Sequence, residues 1–324
     1  MLIFPVLLSF FLLPASITGK TEWGWKKFSK YEPGNTSIII TCPHDGKLNP
    51  SKQDNGDPWP DRKPGCLGSD GRCIWKHNCG KTDRKKCAAV TITDENASIL
   101  ARDIADGIKA LIGLRPHVVY NRLKRTKIEV NRDIDKGTLN VPDARKAWRD
   151  YHKFVEKARS AIHGRGLLLD IHGQVHDEGR IELGYFISGS QLNNDDFTAD
   201  NTSIRNLGKQ WCGDDPSCFK MFVHGHRSLG YFLNQEGLRV VPSPQDPAPK
   251  KTVFLFGKYT VQNHGSRCGG LIDAIQMEFP LSLSSKSGWK RAKHRVVRAI
   301  FEFLKQNYGF PQKEAVSSTD RASQ

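Results

Sequence analysis

The stretch "LLLDIHGQVHDEG", residues 167–179, decides how this chain is read. An apolar run carries Asp170 within it, and two histidines, His172 and His176, follow among small and acidic residues. Gly164 and Gly166 separate this run from a preceding helical pattern. A continuous apolar run between helices is the signature of a strand buried on both faces of a mostly parallel sheet. In such sheets ligands collect at the carboxyl ends of strands, where loops meet helices. The ionisable groups at 170–176 therefore read either as a metal site at a strand end or as a surface loop that contains histidines.

Outward from this stretch, strand and helix patterns alternate. "SIIIT" (37–41) predicts a strand ending in Pro43, His44, Asp45 and Gly46, and "VTIT" (90–93) predicts another leading into Asp94. The helix after it places Leu100, Ile104, Ile108 and Leu111 on one face. A strand is expected near Val118–Tyr120. Residues 143–163 then predict a helix with Ala144, Trp148, Tyr151, Val155, Ala158 and Ile162 inward. Further strands are expected at Glu182–Ile187, Thr252–Phe256 and Ile272–Phe279. A closing helix at Trp289–Asn307 turns Ala292, Val296, Ala299, Ile300 and Phe303 inward, with Gly309 past its end. The expected fold class is α/β, in three layers, with a mostly parallel mixed sheet and helices on both faces.

The first twenty residues, "MLIFPVLLSFFLLPASITGK", have the pattern of a secretory signal peptide, and no later apolar stretch is long enough to span a membrane. All eight cysteines follow it: Cys42, Cys66, Cys73, Cys79, Cys87, Cys212, Cys218 and Cys268. An even number in an exported chain favours disulfides, and the lack of a CxxC pair argues against a thiolate zinc site. Four of them fall in a Pro-, Gly- and Lys-rich stretch, 49–87, read as a disulfide-stapled insertion loop. Asn35, Asn96 and Asn201 each open a glycosylation sequon. The expected organisation is a signal peptide at 1–20, a single α/β hydrolase-like domain at 21–310 and a polar, disordered tail at 311–324. The net charge of +15 could draw anionic partners such as a glycan or acidic matrix, or merely solvate the surface. Nucleic acid is not the expected partner.

Ionisable residues gather at the predicted strand ends: His44, Asp94, Asn131 with Arg132, Asp170 with His172, and Glu278. Neutral imidazole is the commonest zinc ligand, so His44 and His172 with one carboxylate would hold a single ion and leave a position for water. Asp170, two residues from His172 on the same side of an extended chain, could orient that ring instead. Either histidine alone reads as an ordinary loop residue. Glu278 interrupts the apolar "IDAIQMEFPL", and a desolvated carboxyl suits acid–base work. Pro280 just after it favours the other reading, an outward-facing glutamate at an edge or strand end. Arg132 beside Asn131 could grip a carboxylate through paired bonds, with Arg125 adding positive field, or both arginines could be surface groups. His176 gates the site or takes a proton, or is simply loop.

"PHDG" (43–46), "KIEVNRD" (127–133), "LLLDIHGQVH" (167–176) and "IDAIQMEFP" (272–280), in this order, resemble the N-formylglutamate amidohydrolase family, itself similar to the zinc carboxypeptidases and the aspartoacylase group. The resemblance runs from about Ser37 to Leu304. It implies a zinc carboxypeptidase-like fold, with His44 and His172 as ligands of one zinc ion. It further implies Asn131 and Arg132 as receivers of a substrate carboxylate, and Glu278 as the group that activates water for hydrolysis of a carbon–nitrogen bond. The carboxypeptidases place a ligand glutamate three residues after the first histidine; Lys47 stands there in this chain. The third ligand then has to be Asp94, Asp45 or Glu95, of which Asp94 is favoured because it ends a predicted strand and opens a helix. The exported address points to an acylated amino acid or peptide rather than to formylglutamate. A carboxypeptidase-like exopeptidase is a close variant. The rival class is a non-catalytic binding protein that uses the basic faces at Arg122–Lys127 and at Lys290, Arg291, Lys293, Arg295 and Arg298.

Overall fold

The structure, a computed structural model, describes residues 19–50 and 59–310. The expected signal peptide, apart from its last two residues, the tail from 311 and positions 51–58 of the expected insertion lie outside the described residues. Ten strands are described: β1 (Glu22–Trp23), β2 (Ser29–Glu32), β3 (Ile38–Cys42), β4 (Cys66–Leu67), β5 (Cys73–Ile74), β6 (His117–Asn121), β7 (Gly166–Gln174), β8 (Ile181–Gly184), β9 (Val240–Val241) and β10 (Ile272–Pro280). Eight of them form one sheet, ordered β1-β2-β6-β3-β7-β10-β8-β9. Its centre, β6-β3-β7-β10, is parallel, and β8 joins β10 antiparallel.

Helices cover both faces, because the central strands are apolar on both. The helix Ala97–Ile112 buries Leu100, Ile104, Ile108 and Ile112 against one face, beside the closing helix Lys286–Tyr308. Leu111, expected inward, is exposed; the 3.6-residue period carries the buried stripe to Ile112 instead. Gly107 lets these two helices touch, since a Cβ there would meet Val297 Cγ2 at 2.7 Å. The opposite face takes the helix Pro142–Ser160 through Ala144, Trp148, Tyr151, Val155 and Ala158. The three-layer α/β expectation holds.

Two predicted strands are absent. Residues 90–93 have β-branched composition but pair with no strand, and Val90 and Ile92 stand exposed. Residues 252–256 run instead as a loop along β8, with Phe256 O accepting from Phe186 N and Leu255 N donating to Glu182. The strand expected to reach Ile187 stops at Gly184, and Phe186 lies in the left-handed region at φ 62°.

Disulfides join Cys66 to Cys79, Cys73 to Cys87 and Cys212 to Cys218. The first two staple the expected insertion. Cys42, buried in β3, and Cys268, exposed, are unpaired. Among the described residues no helix is long and apolar enough to cross a membrane. The basic surface is smaller than the sequence suggests: Arg125 is buried, and Lys127 is nearly so and paired with Asp61.

Candidate functional site

Three neighbouring strands bring their functional side chains abreast. In the sheet register His172 of β7 lies beside Glu278 of β10, which lies beside Glu182 of β8; one step down, Asp170 lies beside Gln276. Alternate residues of a strand face one side, so Asp170 and His172 project together, as do Gln276 and Glu278. Glu278 thus occupies a central strand and is buried, not turned outward at an edge. Pro280 is compatible with this place because it is the last residue of the strand.

His44 leaves the end of β3 and meets His172 from the adjoining strand. Their Nδ1 atoms are 3.0 Å apart, and Asp94 Oδ2 lies 3.1 Å from the first and 2.9 Å from the second. Asp94 arrives from the irregular segment before the helix Ala97–Ile112, tied by its own N–H to His44 O at 3.2 Å. All three residues are buried, and together they form a group able to hold a metal ion. Asp45 is spent elsewhere, accepting from Ser98 N at 3.1 Å, and Glu95 is exposed. Lys47 pairs with Asp45 at 3.0 Å.

The far nitrogen of each ring meets a carboxylate. His172 Nε2 contacts Asp170 Oδ2 at 2.9 Å, and Asp170 also accepts from Thr41 Oγ1 at 2.6 Å. His44 Nε2 bonds to Glu129 Oε1. With the ring protons on those nitrogens, both Nδ1 lone pairs and the Asp94 oxygen converge with no hydrogen among them. Only a cation or a proton stabilises such a cluster. Donors bound to tetrahedral zinc at about 2.0–2.1 Å lie roughly 3.3 Å from one another. The observed spacings come close to this, so the residues fit such an ion.

Electrostatics agree with the geometry. Burial pushes the Asp94 carboxyl up, but His44 and His172 outweigh it and hold the group well below the usual carboxylate range. Burial disfavours the His172 imidazolium, yet Asp170 and Glu278 raise its pKa well above the ordinary value. Burial, and then the charges of Asp94 and Glu182 against the counter-pull of His172, push Glu278 up to about 8. Its Oε1 stands 4.0 Å from His172 Nδ1 and accepts from Gln276 Nε2 at 2.8 Å.

Glu129 is the residue that sequence reasoning missed. It sits fully buried in the turn between Lys124 and Asp133, where burial is outweighed by His44 and Arg125, which keep it well below the carboxylate range. Arg125 bridges the centre from beneath, donating to Glu129 Oε2 at 2.8 Å and to Asp94 Oδ1 at 3.0 Å. The resemblance implies that Asn131 receives substrate, and the sequence leaves Arg125 either as positive field for substrate or as a surface group. In the structure both are held by protein partners: Arg125 also donates to Ile92 O at 3.0 Å, and Asn131 accepts from Thr260 N at 2.8 Å and donates to Gln276 Oε1 at 3.3 Å. Arg132 lines the cavity and forms no ion pair among the described residues; neither does Lys258 beside it. Burial lowers the pKa of both cations, and Arg132 adds to the effect on Lys258. His176 also lines the cavity, held through Nδ1 by the buried Glu182 at 2.7 Å. The cleft that gathers these groups has a volume of about 590 Å³.

His264 lies apart from this cluster. It bonds His152 Nδ1 at 2.8 Å and Glu156 Oε1 at 2.7 Å, and His152 reaches Val130 O at 2.9 Å.

No family model and no curated protein matches the chain. Among solved structures it is similar to the gene product Atu2144 from Agrobacterium tumefaciens, at 12% identity over 88% of this chain and 99% of that one, with a TM-score of 0.46. It is also similar to N-formylglutamate amidohydrolase from Ralstonia eutropha JMP134, at 11% identity over 84% of this chain and 94% of that one, with a TM-score of 0.46.

Proposed function

We propose that this chain is an exported, zinc-dependent hydrolase of amide bonds whose substrate, an acylated amino acid or small peptide, bears a carboxylate. One observation carries the reading: two imidazole Nδ1 atoms and one carboxylate oxygen converge within 3.1 Å of one another, with a buried glutamate 4.0 Å away. His44, Asp94 and His172 would hold the ion. When bound, it supplies a Lewis acid that polarises a carbonyl and acidifies a water.

The chain's own groups do the rest. Glu278, within one water's reach of that centre, takes the water's proton and delivers it to the leaving nitrogen as the carbon–oxygen bond forms and the carbon–nitrogen bond breaks. Glu129 and Asp170 fix the two rings by their far nitrogens. Arg132, with Lys258 beside it, receives the substrate's carboxylate through its planar fork. Asn131 holds the turn from which Arg132 projects, and Arg125 locks Glu129 to Asp94. His176 stands at the wall as a fixed imidazole. Three disulfides support an oxidising, extracellular address.

The test is metal analysis followed by hydrolysis of N-acyl amino acids. We expect one zinc per chain and activity lost in Glu278→Gln. Folded protein that takes up no ion under zinc-replete conditions would overturn the reading.

A further inference from the structure

The cavity has a polar floor and an apolar mouth, and the mouth is unusual. Val90 is 45% exposed, Ile92 72%, Val175 72% and Leu281 61%. Single exposed apolar residues are common on any surface. These four come from three separate segments and line the same cavity. An apolar group that rims a cleft marks a binding surface.

Their sequence positions explain how they come together. Ile92 lies two residues before Asp94, Val175 three residues after His172, and Leu281 three residues after Glu278. Three of the segments that supply floor residues therefore also supply a rim residue two or three positions away.

We infer that this mouth is a subsite for an aliphatic acyl chain longer than two carbons, so that the substrates are N-acyl amino acids with an extended apolar acyl group. The inference rests on the hydrolase reading of the same site. With the carboxylate-bearing half of the substrate directed to Arg132 and Lys258, the exposed apolar walls open to the acyl half are Val90, Ile92, Val175 and Leu281, beside Leu255 and Thr93. A one- or two-carbon acyl group would leave those side chains in water. A longer chain would cover them and remove apolar area from solvent on both partners.

The experiment uses zinc-loaded protein and straight-chain alkyl hydroxamates from two to twelve carbons, whose head group chelates the ion and whose tail runs as the acyl chain would. Zinc content, measured first, tests the hydrolase reading; the dependence of Kd on chain length, measured by calorimetry, tests this one. Kd should fall about two- to threefold per added methylene as the tail grows beyond two carbons. The double variant Ile92→Ser, Val175→Ser should bind acetohydroxamate as the wild type does and octanohydroxamate at least tenfold more weakly. Both positions are exposed, and an unchanged thermal midpoint confirms the fold. A zinc-loaded protein with equal Kd from two to eight carbons overturns the subsite alone, as does a slope that the double variant keeps. Failure to take up zinc removes both readings.

Discussion

Glu278 and His172 are register partners on β10 and β7, and the Glu278 carboxyl stops 4.0 Å from His172 Nδ1. The sheet itself sets this spacing, so the relation between the proposed base and the proposed ligand does not depend on loop conformation. Replacing Glu278 by Gln keeps the volume and the contact with Gln276 but removes the proton acceptor. Zinc content should stay at one per chain while kcat falls by about 10²- to 10⁴-fold. A variant that retains its rate would take Glu278 out of the proton path.

Glu129→Gln probes the brace behind His44. Losing a carboxylate that orients a metal-bound imidazole weakens metal affinity by about 10- to 100-fold. Arg125 would also lose one of its two buried carboxylate partners, so stability should drop by about 3 kcal/mol. Competition with a chromophoric chelator reads the first effect and denaturant unfolding the second. If the zinc affinity is unchanged, the ring is held by something else.

Zinc should stabilise the fold as well as support catalysis, because the three donors come from segments far apart in the chain. At a free concentration of one hundred times Kd, the gain is about 2.7 kcal/mol. A chelator should therefore lower the Tm of the wild type. His44→Ala should have a Tm that neither zinc nor chelator moves; a zinc-dependent Tm in that variant would place the ion elsewhere.

Asp273, at the opposite end of β10, tests the polar wiring of the core. Burial pushes its carboxyl up to about 6, against the hydrogen bonds from Ser266, Leu207 and Tyr308. The folded state thus binds the proton more tightly than the unfolded chain does. Its stabilising effect is full below the unfolded pKa of about 3.9 and is lost as pH rises through about 6. The loss amounts to about 3 kcal/mol. Asp273→Asn should flatten the stability profile across that window, and urea unfolding at several pH values will show whether it does.

The parallel core and its helices are legible in the sequence because apolar runs and 3.6-residue stripes record burial directly. His44, Asp94, His172 and Glu278 are legible for a related reason: each ends or interrupts an apolar run, so the side chain must lie near the core's edge. Glu129 is not, since its turn has no periodicity. Its one signal is an acid set between Ile128 and Val130, two β-branched residues that are both buried. Val-Thr-Ile-Thr at 90–93 misleads in the opposite sense. Its residue types suit a pleated, half-buried surface, but no sheet edge lies beside it, and the alternation serves the cleft mouth instead. The cysteine count predicts bridges without saying which sulfurs meet, and Cys42 stays single because β3 carries it into the core.

Both imidazoles address the centre through Nδ1, the nitrogen nearer the main chain. Short amides imitate that geometry: an asparagine carries its oxygen almost where Nδ1 was, whereas glutamine, with its extra methylene, imitates Nε2 and overshoots. Substitution by asparagine at 44 or 172 should therefore leave a weakened but recognisable ion site, and glutamine should leave none. The tolerance of the centre to mutation follows from which ring atom looks inward.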